Sequence, residues 1–167
     1  MGNRYCVCSL RKFMFILVDI DNRLSPPLHL TKMSMHCLNL KGIKTITVED
    51  AFHSKVFPDD QYLNLKELKL IEVHQDAVWS IPDEATLLGH SQYTENEIFS
   101  IDDHTLCFQG HPEFNTLYLE QIIGVLRGGN VERKEIRGAV QSIVDSKDDC
   151  ESDNAMCARL IVDFLKR

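Results

Sequence analysis

Hydrophobic and polar positions recur with different periods along the chain, and the changes of period divide it into elements. Phe13-Met-Phe-Ile-Leu-Val18 is a strand-like apolar run closed by Asp19 and Asp21, and Ser25-Pro26-Pro27 breaks any helix after it. From Gly42 the β-branched stretch Ile43-Lys-Thr-Ile-Thr-Val48 alternates with period two, which predicts a half-exposed strand. Phe57-Pro58-Asp59-Asp60 predicts a turn. Leu68-Lys-Leu-Ile-Glu-Val73 predicts another strand, with His74-Gln75-Asp76 at its carboxyl end, where open α/β sheets place their sites. Ile81-Pro82-Asp83-Glu84 reads as a turn and residues 85–88 as a short strand. Residues 98–101 and 105–108 read as a strand pair tightly connected through Asp102-Asp103.

Beyond residue 114 the period becomes helical. Leu119, Ile122, Ile123 and Leu126 share one helical face, and Gly128-Gly129 supplies a stop. Ile136, Ala139, Val140, Ile143 and Val144 repeat the stripe and predict a second helix over 131–144. Residues 145–153 hold five acids and one lysine and read as a solvated linker. Met156, Leu160, Ile161 and Phe164 then mark a closing helix capped by Asp153 or Asn154.

A chain of 167 residues with 44% hydrophobic and 26% charged residues fits one globular domain. Eighteen Lys+Arg against twenty-five Asp+Glu give a net charge of -7, which argues against nucleic acid as a partner. The apolar run at 13–18 is far below the roughly 20 residues that cross a bilayer, so no membrane is expected. Cys6, Cys8, Cys37, Cys107, Cys150 and Cys157 lack framework or zinc spacing and read as reduced thiols of a cytoplasmic protein.

The candidate chemistry lies in Gln109-Gly110-His111-Pro112-Glu113-Phe114. His111 and Glu113 are two apart, so in extended chain their side chains share one side. A carboxylate on one imidazole nitrogen fixes the tautomer and leaves the other nitrogen to take a proton, the base-and-orienter half of a nucleophilic triad. Alone, the same pair also fits a surface histidine beside an acid.

Val73-His-Gln-Asp76, Ile81-Pro82, Asn96-Glu97-Ile98-Phe99 and Phe108-Gln-Gly-His-Pro-Glu-Phe114 before a helix together resemble class I glutamine amidotransferases, above all the stand-alone fungal-type and GMP-synthase-like members. Lys41-Gly42 is similar to the family's glycine-led strand and residues 155–165 to its closing helix. The resemblance covers residues 41–167 as the C-terminal part of such a domain, and residues 1–40 form a divergent segment without assignment. It implies an α/β fold, an incomplete flavodoxin-like domain with a mixed sheet and C-terminal helices. It also implies hydrolysis of a γ-glutamyl amide through a Cys-His-Glu triad, with glutamine or a γ-glutamyl small molecule as substrate and no cofactor or metal. In that reading His111 is general base and acid, and Glu113 orients it. Val73, His74 and Gln75 line the substrate, while Asp76 and Gly110 are structural.

Two departures stand out. Glu97 occupies a position where relatives usually carry Gln. The family's nucleophile elbow reads Gly-x-Cys-x-Gly-His, and no cysteine here has that setting. Cys37 also precedes the strand near Gly42 too closely for an intervening helix. The 167-residue chain is therefore expected to be inactive, and its ancestry to be that of a glutamine amidotransferase or γ-glutamyl hydrolase. The family's earlier strands have no counterpart here, so an exposed sheet edge is expected to pair with a protein partner or with itself. Three readings remain open: a γ-glutamyl peptidase-like hydrolase whose start lies upstream, a non-catalytic binding or regulatory homologue, and a metal protein using His74, Asp76, His111 and Glu113.

Overall fold

The computed structural model describes residues 4–10, 13–19, 40–56, 64–74, 77–102, 105–129, 131–164 and 166. Seven strands make one sheet: β1 (Arg4–Leu10), β2 (Phe13–Asp19), β3 (Leu40–Val48), β4 (Glu67–His74), β5 (Ala85–His90), β6 (Ile98–Ile101) and β7 (Thr105–Phe108). Their order is β1-β2-β7-β6-β5-β3-β4, and every described pairing is antiparallel. Three helices complete the α/β architecture: α1 (Asp50–Val56), α2 (Thr116–Leu126) and α3 (Arg133–Phe164).

The period-two reading of β3 holds: Ile46 and Val48 are buried while Thr45 and Thr47 face solvent. Gly42, at φ +120, is a conformation that side chains rarely adopt, and a Cβ there would lie 2.6 Å from Ser142 Oγ and 3.1 Å from Ala139 Cα. This lets β3 touch α3 closely enough for the Ile43 N–H to donate to Ser142 Oγ at 2.9 Å. β4 alternates in the same way and separates two apolar clusters. Leu68 and Leu70 pack with Ile46, Phe52, Leu88 and Phe108. Ile71, with Val73 beside it, packs with Ile43, Leu119, Ile123 and Ile143. Fully burying one such side chain contributes about 1.5–3 kcal/mol, so these clusters rather than local propensity hold the short strands in place.

Three expectations from the sequence change. The acidic stretch 145–153 is not a linker, because α3 runs unbroken through it. Its acids lie beside polar groups: Asp153 Oδ2 accepts from the Lys69 N–H of the end strand β4 at 2.7 Å, Asp149 pairs with the Lys69 ammonium at 2.5 Å, and Thr116 Oγ1 donates to Glu151 at 2.5 Å. Cys150, Asn154 and Cys157 continue the buried stripe between them, so Asn154 is an interior helix residue and not a cap. Val144, placed on the inward stripe by its spacing, is 74% exposed because the buried face runs through Ala139, Ile143 and Cys150. The sequence reading also missed α1, which is too short to show a stripe beyond the buried pair Phe52 and Val56, and β1, which pairs with β2 in a hairpin. The turn expected at 57–60 and Ser25-Pro26-Pro27 lie outside the described residues.

Candidate active site

The segment after β7 crosses from the sheet into α2, and hydrogen bonds fix it at each step. The Gln109 N–H donates to the Glu97 carbonyl at 2.8 Å, the His111 N–H to the Ile71 carbonyl at 2.8 Å, and the Phe114 N–H to the His111 carbonyl at 3.1 Å. Asn115 then caps α2, its side chain accepting from the Tyr118 N–H at 2.8 Å. Residues 111–114 thus form a turn and not the extended chain expected from the spacing. The turn brings the same two side chains together.

His111 is fully buried, and its Nδ1 lies 2.8 Å from Glu113 Oε1, on a side chain 38% exposed. With the carboxylate accepting from Nδ1–H, Nε2 is left as the unprotonated, proton-accepting nitrogen. Nε2 is buried and has no hydrogen-bond partner among the described residues. Phe114 stacks on the imidazole with ring centroids 4.2 Å apart and an interplanar angle of 7°. The Phe114 carbonyl accepts from Asn154 Nδ2 of α3 at 2.6 Å. The stack sets one face of the imidazole, and this hydrogen bond holds the backbone of the stacking residue, a part that the sequence reading had not assigned to Asn154.

His74 ends β4 as expected, yet it faces away from the His111 pair. Glu72 and His74 share the face of Leu68 and Leu70, whereas Phe114, stacked on His111, packs with the cluster on the other face. His74 Nε2 lies 2.6 Å from Glu72 Oε2, and Glu97 completes a buried group in which His111 and Glu113 take no part. The metal set of His74, Asp76, His111 and Glu113 is therefore not assembled by the described residues. Gln75 and Asp76 lie outside the described residues, and Val73 is half-buried against the cluster beneath α2 and α3. Burial first, and the neighbouring Glu72 carboxylate second, push Glu97 up to about 8 against the hydrogen bond from Ser91 Oγ at 2.6 Å. Gly110 faces this group: a Cβ there would lie 2.6 Å from Glu72 Oε1 and 3.0 Å from Leu70 Cβ.

Gln109 and Asn96, quoted within motifs but given no role, brace the loop that follows residues 75–76. Gln109 Oε1 accepts from the Val78 N–H at 2.7 Å, and its Nε2 donates to the Asn96 carbonyl at 2.8 Å. Asn96 Nδ2 donates to the Val78 and Trp79 carbonyls at 3.2 and 2.9 Å. The Gln109 amide thus matches one N–H and one C=O at once, while the Asn96 amide nitrogen serves two carbonyls. Cys107, Cys150 and Cys157 are poor nucleophiles. Burial pushes the Cys107 thiol upward, and pushes Cys150 and Cys157 up to about 12, so all three stay protonated at neutral pH.

Comparisons with known proteins follow this geometry. Gamma-glutamyl peptidase 2 of Arabidopsis thaliana is 34% identical over 125 residues, 75% of this chain and 48% of that protein. A glutamine amidotransferase-like protein of Schizosaccharomyces pombe is 30% identical over 106 residues, 64% of this chain and 41% of its own length. The solved structure of a glutamine amidotransferase from Methylobacillus flagellatus superposes with a TM-score of 0.59 at 18% identity, covering 91% of this chain and 55% of that one, a likeness of fold. No family model matches. The chain is thus similar to γ-glutamyl peptidases and glutamine amidotransferase-like proteins, a likeness consistent with the class I glutamine amidotransferase family that its motifs resemble. The chain spans about half the length of the curated relatives it matches. Among the described residues no helix is long and apolar enough to cross a membrane.

Proposed function

We propose that residues 41–167 carry the base-and-orienter half of a γ-glutamyl hydrolase, with His111 as general base and acid and Glu113 as its orienter. The observation that carries this reading is the His111 Nδ1 to Glu113 bond at 2.8 Å, with Nε2 buried and unpartnered among the described residues. In the reaction a cysteine thiol gives its proton to Nε2 and attacks the γ-carbonyl. The leaving amine takes that proton as the thioester forms, and water activated by the same nitrogen then releases glutamate. Val73, His74 and Gln75 are assigned to the substrate loop, largely through backbone groups, with Gln109 and Asn96 holding the segment at 78–79. The names of the Arabidopsis relatives favour a γ-glutamyl compound, hydrolysed rather than used for ammonia transfer.

Hydrolysis needs a thiolate, and none of the six cysteines stands in a Gly-x-Cys-x-Gly setting. The 167-residue chain alone is therefore inactive in this proposal and acts with a cysteine supplied from elsewhere. The test is release of glutamate from a γ-glutamyl anilide, measured for the purified 167-residue chain and for the protein isolated from its own cells with its intact mass. No release by the former, and release by a heavier cellular form that is lost on His111→Ala, is the expected result. Turnover that survives His111→Ala would remove the base from the mechanism.

A further inference from the structure

One buried polar group among the described residues lies on the face of β4 away from the His111–Glu113 pair. We propose that Glu72, His74 and Glu97 form a site for a divalent transition-metal ion of the zinc type, which ties the carboxyl end of β4 to the segment before β6. One ligand atom from each residue lies within 4.8 Å of the other two. Zinc ligands at about 2.0–2.2 Å in a tetrahedral set stand roughly 3.3 Å apart, a difference that side-chain rotation can close. Glu72 and His74 are two apart on β4 and so face the same way. Glu97 is set by backbone bonds on both sides, its N–H to the Gly89 carbonyl at 3.0 Å and its carbonyl to the Gln109 N–H at 2.8 Å.

The carboxylates point to an ion rather than to a finished hydrogen-bond network. Glu72 and Glu97 are both fully buried, and one oxygen of each, Glu72 Oε1 and Glu97 Oε2, lacks a hydrogen-bond partner among the described residues. A dication held by both carboxylates with a neutral imidazole gives a neutral set, which suits a buried site. Two carboxylates and one imidazole are a donor set that zinc accepts. His74 Nε2 and Glu72 Oε2 stand 2.6 Å apart, a hydrogen-bond distance, and must separate by roughly 0.7 Å for a metal to replace the shared proton. Ser91, whose hydroxyl donates to Glu97, lines a cavity of about 280 Å³ together with Val78, Trp79 and Thr94, so a cavity lies one side chain away from the buried carboxylate.

The test uses the full chain, purified without a histidine tag and stripped with a chelator, and Zn²⁺ as the probe. Calorimetric titration and elemental analysis after dialysis are expected to give one zinc per chain, with a melting temperature that rises on zinc addition. Glu97→Gln keeps the oxygen that accepts from Ser91 and removes the charge, so it is expected to fold normally and lose at least about 100-fold in zinc affinity. Glu72→Gln serves as the second variant, and His111→Ala is expected to retain the metal. Co²⁺ in place of zinc is expected to show d–d absorption without a thiolate charge-transfer band. The site is overturned if the folded wild-type chain takes up no stoichiometric zinc and its melting is unchanged. It is equally overturned if both Gln variants bind as tightly as wild type, or if the cobalt spectrum shows thiolate ligation.

Discussion

Gly110→Ala is the most direct probe of how tightly the motif is packed. Gly110 has no positive φ, so the cost of a methyl group is steric and can be worked from its neighbours. The new Cβ would stand 2.6 Å from Glu72 Oε1, 3.0 Å from Leu70 Cβ and 3.3 Å from Leu70 Cδ1. Ordinary contact begins at about 3.5 Å, so Glu72 Oε1 must retreat by almost 1 Å, which disturbs its bond to His74, and β4 must give by a few tenths of an ångström. Overpacking of this kind costs about 1–3 kcal/mol, while replacing glycine returns about 0.4–1 kcal/mol through the unfolded chain. The net expectation is a loss of about 1–2 kcal/mol, or about 2–8 °C in melting temperature for a domain of this size. Urea denaturation followed by circular dichroism gives the number directly. Stability equal to or above wild type would show that Gly110 and β4 are not in the contact described, and the account of Gly110 as a packing residue would fail.

Asn154→Ala removes the donor to the Phe114 carbonyl and is expected to cost about 1–3 kcal/mol in the same denaturation assay, whereas a surface change such as Val144→Ala should stay within about 0.5 kcal/mol. In any form of the protein that turns over, His111→Ala should lower kcat by about 100-fold or more, and Glu113→Gln by less, because it misorients the base without removing it; equal losses in steady-state kinetics would contradict these roles. Glu97 gives a pH dependence in chelator-treated protein. It stays protonated in the folded chain up to about pH 8 but ionises near 4.5 when unfolded. Its contribution to stability is therefore complete below about pH 4.5 and is lost as pH rises to about 8, with a slope of at most about 1.4 kcal/mol per pH unit. Urea midpoints measured across that range should lose this slope in Glu97→Gln, and an unchanged slope would assign it to another group.

The amino-acid sequence by itself determined the local elements whose side chains repeat with a clear period and the chemistry carried by contiguous residues. α2 was legible because one face of it meets the core, so period and burial coincide, β3 by its alternation, and β4, β6 and β7 as short, mostly apolar runs buried on both faces. The His111–Glu113 pair was legible because the two are only two residues apart, and a short turn brings their side chains together as well as extended chain would. Contacts across the chain were not legible. The acids of 145–153 look solvated along the sequence, and only the position of β4 turns Asp149 and Asp153 into partners of Lys69 and keeps α3 continuous. Asn154 looks like a cap until Phe114, 40 residues away, supplies its acceptor. His74 was grouped with His111 because both are histidines of one motif series. The pleat of β4 instead sends it to the opposite face, where Glu72 and Glu97 meet it, because alternate side chains of a strand point to opposite sides of a sheet.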